Sequence, residues 1–280
     1  MSAAANIFVG QTEAPLVVRP FIKSMTRSEL FAVMSGGLAS VAGSVLAGYA
    51  QMGVPLPYLI AASFMAAPGG LLFAKLLVPE TEKARTDEEL ADEGDKPVNV
   101  IDAAAGGAVT GAQIAIAVGA SLLAFVALIS LVNGMIGGVG GWFGYGSLTL
   151  QTILGWLFSP LAWAIGVPWS EAGIAGSLIG QKVVVNEFVA YAEFVKYLSP
   201  ESAVQLSDTT KAIISFALCG FANLGSIAVL MGGLSIIAPS RRKDVAQLGF
   251  KAVVAGSLSN LMSAVIAGLF IGLSGAAIVG

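Results

Sequence analysis

Long runs of apolar residues without a single charged side chain dominate this sequence of 280 residues. The uncharged runs are 30–74, 103–170, 212–240 and 252–280. Each of them exceeds the roughly 20 apolar residues that a helix needs to cross a bilayer. The pattern predicts an all-α integral membrane protein with several membrane-spanning helices.

Turn residues and charged clusters divide these runs into individual elements. Spanning helices are predicted at 29–50, 56–77, 112–136, 210–238 and 252–278. Placing all the basic clusters in the cytoplasm requires that alternate spans point in opposite directions. That arrangement works only if region 149–210 enters and leaves the membrane on the same outer side. The region is therefore predicted to be re-entrant, with two short helices and polar residues near its return arm.

Composition narrows the classes of function. Hydrophobic residues make up 56% of the chain and charged residues 11%, whereas a soluble domain carries about 25% charged residues. The 14 Lys and Arg do not exceed the 17 Asp and Glu, so no basic excess favours nucleic acid as a partner. The chain has no histidine, which excludes Ser-His-Asp chemistry and His-ligated zinc within it.

The start of the chain resembles half of another hairpin, since a polar segment at 10–15 is followed by an apolar run that leads to a basic loop. Two carboxylates fall inside these predicted hairpins, Glu13 near the start of the chain and Glu187 in the return arm of 149–210. Ionisable groups at membrane depth are costly and usually face a cavity or a partner. One interpretation is a pair of substrate acceptors in a polar cleft; the other is a buried ion pair, with Lys182 or a basic loop residue as the cation. A membrane-embedded hydrolase would use the same two carboxylates as acid and base. No obvious nucleophile or metal-ligand cluster supports it, so the chain is predicted not to be an enzyme.

Two of the predicted spans contain residues that are poor helix formers at their centres. Residues 220–226 place Asn223 between two glycines with Ser226 just beyond, and the first span has a comparable segment from Gly36 to Ser44. Such segments indicate either unwound helix with free carbonyl groups or close packing of small residues. Two hairpins and two broken spans in corresponding positions indicate structural repeats, as in a secondary transporter. The pattern gives no substrate.

Six segments of the sequence closely resemble the concentrative nucleoside transporter family. They are NIFVGQTEAP (6–15), MTRSEL (25–30), FSPLAW (158–163), GQK (180–182), NEF (186–188) and ALCGFAN (217–223). The resemblance extends over essentially the whole chain. It also implies that further helices and the leading arm of the first hairpin precede Met1, so the chain is expected to be a fragment.

The resemblance implies a polytopic helical transporter with re-entrant hairpins and discontinuous helices, assembled as a homotrimer in the inner (plasma) membrane. It would import nucleosides such as uridine together with a cation by alternating access. Sodium is the expected coupling ion because Asn6 and Ser40 are both present, with proton coupling left open. A fragment that does not transport is a further alternative. No cofactor is expected.

The pattern of the chain predicts an organisation into six segments, and the resemblance assigns them to a transport part and a scaffold part. These are the second arm of hairpin one (1–24), two membrane helices of the transport part (25–78), an acidic cytoplasmic linker (79–98), an interfacial helix with a scaffold membrane helix (99–137), hairpin two with an outer loop (138–208) and two last membrane helices, the first of them broken (209–280).

Family roles extend to matching positions of this sequence. The nucleobase would lie near Gln11, Thr12 and Glu13 and would pack against Val45 and Phe221. The ribose would be held by Glu187, Asn223 and Ser226. A sodium ion would be bound by Asn6, Val9, Ser40 and Val41, partly through backbone carbonyl groups.

Overall fold

The computed structural model describes residues 1–83 and 98–274, and every regular element among them is a helix. This confirms the predicted fold class. Most of the predicted acidic linker, 79–98, lies outside the described residues. The described residues form two compact units, of which the larger contains those up to 83 and from 151 onward. The smaller unit contains those between 98 and 150.

The chain begins with a one-turn helix, α1 (Ser2–Ala5), and a 3-10 helix, Ala14–Phe21. The first span follows as two helices, α2 (Arg27–Ala39) and α3 (Gly43–Gln51). Its break lies in the predicted segment, at Ser40–Ala42, while the glycines before it stay helical. The N-terminus of α2 is fixed by a capping box, in which the Thr26 and Glu29 side chains each accept from the other's backbone N–H.

The second predicted span is a single helix, α4 (Leu56–Leu77). The smaller unit is built on α5 (Val100–Trp142), one uninterrupted helix of 43 residues. The sequence predicted two elements here, an interfacial helix and a membrane-spanning helix at 112–136, whereas the structure has one continuous helix that passes position 136. In apolar surroundings a helix satisfies its own backbone groups, so glycines alone do not end it. The helix α5 ends only at Trp142, and a turn begins at Phe143.

The predicted second hairpin is formed by α6 (Leu150–Ala164) and α7 (Trp169–Val184), whose axes differ by 116° across a four-residue turn. Gly155 and Gly176 bring the two helices close together, since a Cβ at either position would come within 3.0 Å of backbone atoms of the other helix. The sequence predicts Glu187 in the return arm of this hairpin. The structure instead ends α7 at Val184 and starts a new helix, α8 (Glu187–Phe194).

The last predicted spans are α9 (Asp208–Leu218) with α10 (Gly225–Ile237), and α11 (Arg242–Ser274). The break between α9 and α10, residues 219–224, overlaps the predicted segment 220–226, whose last two residues already belong to α10. Among the described residues, Arg27–Gln51, Leu56–Leu77 and Pro239–Leu273 are long and apolar enough to cross a membrane, and the bent α6–α7 pair would be a fourth. Two clusters of buried apolar side chains fill the larger unit, and Phe221 in the second break packs against both of them.

Candidate functional site

A buried carboxylate lies where several interrupted helices meet. The residue Glu187 is only 6% exposed, and two side chains bind its carboxylate. The hydroxyl of Tyr49 donates to Oε1 at 3.0 Å, and Nδ2 of Asn223 donates to Oε2 at 3.2 Å. These partners come from α3 and from the α9–α10 break, so the carboxylate connects three separate parts of the chain.

The position of Glu187 follows from the break between α7 and α8. Asn186 adopts extended backbone angles, and its side chain accepts a 2.8 Å hydrogen bond from the N–H of Val189, which caps α8. Glu187 is therefore the first residue of α8, where free N–H groups and the helix dipole favour a negative charge. The break thus lowers the energetic cost of burying the Glu187 carboxylate, because it places the carboxylate at a helix N-terminus.

The second break supplies a polar pair beside this carboxylate. Oδ1 of Asn223 accepts from both the backbone N–H and the hydroxyl of Ser226, at 2.9 and 3.2 Å. This fixes the amide orientation so that Nδ2 points toward Glu187. A continuous series of hydrogen bonds thus connects the three residues expected to hold a ribose, Glu187, Asn223 and Ser226.

An aromatic group that the sequence analysis did not identify forms one wall of this cluster. The ring of Tyr49 lies 4.4 Å from that of Tyr191 and 5.7 Å from that of Phe188, centroid to centroid. The Tyr191 hydroxyl donates to the carbonyl of Ser215 at 2.7 Å. A phenol inside an otherwise apolar span was the available signal for Tyr49, because a buried tyrosine hydroxyl usually has a polar partner.

The residues predicted to bind a cation converge on the first break. Asn6 is 1% exposed, and neither Oδ1 nor Nδ2 has a hydrogen-bond partner among the described residues. It lies against Gly36 of α2, one turn before Ser40, and the Ser40 hydroxyl donates to the Gly36 carbonyl at 3.2 Å. Val41 is fully buried in the break, whereas the Val9 side chain is 38% exposed. The N–H of Gly43 donates to the carbonyl oxygen of Phe8 at 3.0 Å. This hydrogen bond holds the backbone next to Val9 against the first break.

The residues predicted to face a nucleobase are more scattered. Gln11 packs against Gly37 of α2, and Thr12 packs against Gly233 of α10. Glu13 is exposed and lies beside Gly10. In the part of the chain that the structure describes, no hydrogen bond joins these three residues to the Glu187 cluster.

Val45 and Phe221, the predicted packing residues, both border the larger apolar cluster.

The alternative interpretation, in which Glu187 is half of a buried ion pair, does not correspond to a direct contact in the described residues. Within the described ranges, no salt bridge joins Glu187 or Glu13 to a cation. Lys182 is buried, but its Nζ donates to Oδ1 of Asn260 at 2.9 Å. The side chains that donate hydrogen bonds to the buried carboxylate, Tyr49 and Asn223, are therefore both neutral.

A helical membrane frame with interrupted helices, a bent hairpin and a polar cluster at their junction is typical of a secondary transporter. The family profile described as "Na+ dependent nucleoside transporter C-terminus" matches residues 58–268. The chain belongs to the concentrative nucleoside transporter family and matches its C-terminal region.

Relatives and solved structures agree with this assignment. An uncharacterised transporter of Haemophilus influenzae is 68% identical over 279 residues, which are 99% of this chain and 67% of the relative. The nucleoside permease NupC of Helicobacter pylori is 58% identical, over 98% of this chain and 65% of the permease. The structure of CNTnw in an inward-facing substrate-bound state has a TM-score of 0.95 at 86% identity, covering all of this chain and 66% of that one.

The chain therefore spans about two thirds of the length of these relatives. They are named as transporters and permeases, a class without enzymatic activity, which confirms that the chain is not an enzyme. Together with the apolar helices, they identify a membrane protein.

Proposed function

We propose that the chain forms the substrate-binding and cation-binding part of a sodium-coupled nucleoside symporter that works by alternating access. The observation that carries this proposal is the Glu187 carboxylate, held by Tyr49 and Asn223 at the junction of two helix breaks. Relatives named as nucleoside permeases, and related structures in inward-facing and outward-facing states, support the same function.

The carboxylate suits the vicinal hydroxyls of a ribose. An ionised carboxylate has about four acceptor positions, and the Tyr49 hydroxyl and the Asn223 amide occupy one on each oxygen. One further position on each oxygen is left for a donor, which is what two adjacent sugar hydroxyls offer. Ser226 donates its own hydrogen to Asn223 and keeps lone pairs that could accept from the same sugar.

The base would extend from this cluster toward Phe221 and Val45, with Gln11, Thr12 and Glu13 recognising its edge. The buried Oε1 of Gln11 has no hydrogen-bond partner in the described structure and could accept from a base N–H. Because Glu13 is exposed and makes no hydrogen bond to the cluster, its role depends on movement of the first hairpin toward the substrate. Such movement is consistent with alternating access.

The residues at the first break suit a hard monovalent cation. The buried, unpartnered Oδ1 of Asn6 is an oxygen ligand whose burial is otherwise unfavourable. The hydroxyl of Ser40 donates its hydrogen to Gly36 and so turns its lone pairs outward. The carbonyl oxygens of Val9 and Val41 accept no hydrogen bond from a described residue. This oxygen-rich set favours sodium as the coupling ion.

Binding of tritiated uridine to the purified full chain in detergent micelles tests the proposal. Saturable binding in sodium that disappears in choline at equal ionic strength is expected. Uridine binding that depends on pH but not on the sodium concentration would indicate proton coupling in place of sodium coupling. An absence of saturable uridine binding under every condition would overturn the proposal.

Uptake is measured with a chimaera in which this chain replaces the matching 279 residues of the Haemophilus influenzae relative. Sodium-driven accumulation of uridine in proteoliposomes is expected of the chimaera. Uridine binding without accumulation in either protein would indicate a binding fragment that does not transport. A homotrimer in the cytoplasmic inner membrane is part of the proposal, and the mass of the chimaera in detergent tests the trimer.

A further inference from the structure

A single asparagine in the last helix bonds to both helix breaks. Asn260 of α11 is 2% exposed, and its Nδ2 donates to the carbonyl oxygen of Ala39 at 2.6 Å and to that of Cys219 at 2.8 Å. Ala39 is the last residue of α2, and Cys219 directly follows α9. Both donor hydrogens of one amide therefore cap the carbonyl ends of the two interrupted spans.

Close packing at two glycines makes this arrangement possible. A Cβ at Gly256, one turn before Asn260, would lie 3.0 Å from backbone carbon of Leu38 and 3.0 Å from the Cβ of Ala222. A Cβ at Gly220 would lie 2.6 Å from Nδ2 of Asn260 and closer still to its Oδ1. The backbones of both breaks thus approach α11 at the level where the amide sits.

The acceptor side of the same amide is occupied by Lys182. Its ammonium group donates to Oδ1 of Asn260, and the lysine is 2% exposed. A positive donor on the carbonyl side polarises the amide and strengthens donation from Nδ2 to the two backbone carbonyls. Lys182 belongs to the last turn of α7, and the N–H of Leu224 in the second break donates to Val183 O at 3.1 Å.

The two carbonyls belong to segments with different proposed ligands. Ala39 directly precedes Ser40 and Val41, assigned above to the cation. Cys219 comes shortly before Phe221 and Asn223, assigned to the nucleoside. A direct hydrogen bond from Phe221 N to Ser40 O, 3.2 Å long, also connects the two segments. The two breaks are thus connected in two ways, by a direct backbone hydrogen bond and by the side chain of Asn260.

We propose that Asn260, oriented by Lys182, is the positioning residue that couples cation binding at the first break to nucleoside binding at the second. The inference rests on the proposed function, because it assigns a cation and a nucleoside to the two breaks. A cation that draws in the carbonyls beyond Ala39 fixes that end of α2, and the shared amide then fixes Cys219 and the segment that follows it. After the cation has bound, nucleoside binding needs less further ordering of the second break. The cation therefore raises the affinity for the nucleoside, which is positive coupling between the two sites.

The effect of sodium on uridine affinity measures this coupling in the purified full chain. Allosteric coupling between two sites typically changes affinity by about 5- to 150-fold, and the wild-type chain is expected to show a factor in that range. Asn260→Asp keeps the shape and the contact with Lys182 but removes both donors to the backbone carbonyls. The ratio of uridine affinity with sodium to that without sodium is called the sodium factor. Asn260→Asp is expected to retain at most about one fifth of the wild-type sodium factor.

Two further variants separate coupling from folding. Lys182→Met leaves both carbonyl contacts in place and removes the donor to Oδ1, so a smaller loss of the sodium factor is expected even if Asn260→Asp fails to fold. Ser263→Ala is the matched control, since this buried hydroxyl on α11 donates only to Ser259 O in its own helix. It is expected to keep the full factor.

A purely structural role for Asn260 would lower the melting temperature and weaken uridine binding equally with and without sodium. An unchanged sodium factor in Asn260→Asp and Lys182→Met would therefore overturn the inference. Hydrogen exchange at residues 219–226 provides a readout that needs no nucleoside. Sodium alone is expected to slow exchange there in the wild-type chain and not in Asn260→Asp. Absence of this protection in the wild-type chain contradicts the inference, whereas protection without uridine binding contradicts only the proposed function.

Discussion

The Nδ2 atom of Asn223 lies 3.2 Å from Oε2 of Glu187, although the two residues are 36 positions apart in the chain. Each residue lies at an interruption of a helix: Asn223 lies between α9 and α10, and Glu187 is the first residue of α8, directly after the break that follows α7. Their contact therefore depends on both interruptions at once. Because a carboxylate buried without donors is costly, each break stabilises the other through this bond.

The first prediction concerns the tyrosine on the opposite side of the carboxylate. Tyr49→Phe keeps the ring packing against Tyr191 and Phe188 but removes the donor to Oε1 of Glu187. An unpaired buried charged acceptor costs about 1–3 kcal/mol or more, so uridine affinity is expected to fall by roughly 5- to 150-fold. Equilibrium binding of tritiated uridine measures the change.

Tyr191→Phe is the matched control for this variant. Its hydroxyl belongs to the same aromatic group but donates to the Ser215 carbonyl, not to the carboxylate. It is expected to lower stability slightly and to leave uridine affinity within about twofold of wild type. Equal losses in the two variants would show that the aromatic packing, and not the hydroxyl on Glu187, controls binding.

A second prediction tests the charge on Glu187. Glu187→Gln is nearly isosteric, yet it replaces one of two acceptor oxygens by a donor, while Tyr49 and Asn223 both need acceptors. At least one of these donors loses its partner, and uridine binding is expected to weaken by at least about tenfold. Glu193→Gln serves as control, because Glu193 lies on the same helix and pairs with Lys196 at the surface. Wild-type affinity in Glu187→Gln would remove the carboxylate from the site.

How far the sequence could predict this site depends on how local each signal is. Glu187, Asn223 and Ser226 stand out because polar residues and glycines interrupt apolar runs, and the structure joins all three. Tyr49 gave a weaker signal, since a tyrosine in an apolar span is often only packed. Asn260 gave none, because its partners are backbone carbonyls at positions 39 and 219, which no spacing within α11 reveals.

The helix boundaries show the same limit. The breaks near Ser40 and Asn223 were predicted, because glycine and small polar residues cluster there. The break before Glu187 was missed, since its cause is the side chain of Asn186 capping α8. Conversely, the glycines near the end of α5 do not end the helix, which continues past the predicted boundary at 136 to Trp142, because apolar surroundings favour continued backbone hydrogen bonding over unwinding.

A third prediction concerns the proposed cation site. Asn6→Ala removes two buried amide atoms that have no partner among the described residues. Without sodium, the variant is expected to be as stable as the wild-type chain or more stable, since an unsatisfied buried polar group costs about 1–3 kcal/mol. With the oxygen ligand lost, the sodium concentration for half-maximal uridine binding is expected to rise by at least about tenfold. Sodium titrations of uridine binding and melting curves measure the two effects.

Ser2→Ala provides the control, because Ser2 lies in α1 and also has a buried oxygen without a described partner. It is expected to share the effect on stability but not the effect on sodium dependence. If both variants shift the sodium titration equally, the packing of α1 is responsible and Asn6 is not a ligand.

The last prediction concerns recognition of the sugar. If Glu187, Asn223 and Ser226 bind the ribose, a 2′,3′-dideoxynucleoside leaves unpaired the hydrogen-bonding positions that these buried groups would otherwise offer to the sugar hydroxyls. Each unpaired group costs about 1–3 kcal/mol, so dideoxyuridine is expected to compete roughly 5- to 150-fold more weakly than uridine. Glu187→Ala should reduce this difference by weakening uridine alone. Gln11→Ala, on the base side, should weaken both competitors and preserve their ratio. Equal potency of uridine and dideoxyuridine in the wild-type chain would exclude the ribose assignment, and the hydrogen-bonded Glu187–Asn223–Ser226 cluster would then need another ligand.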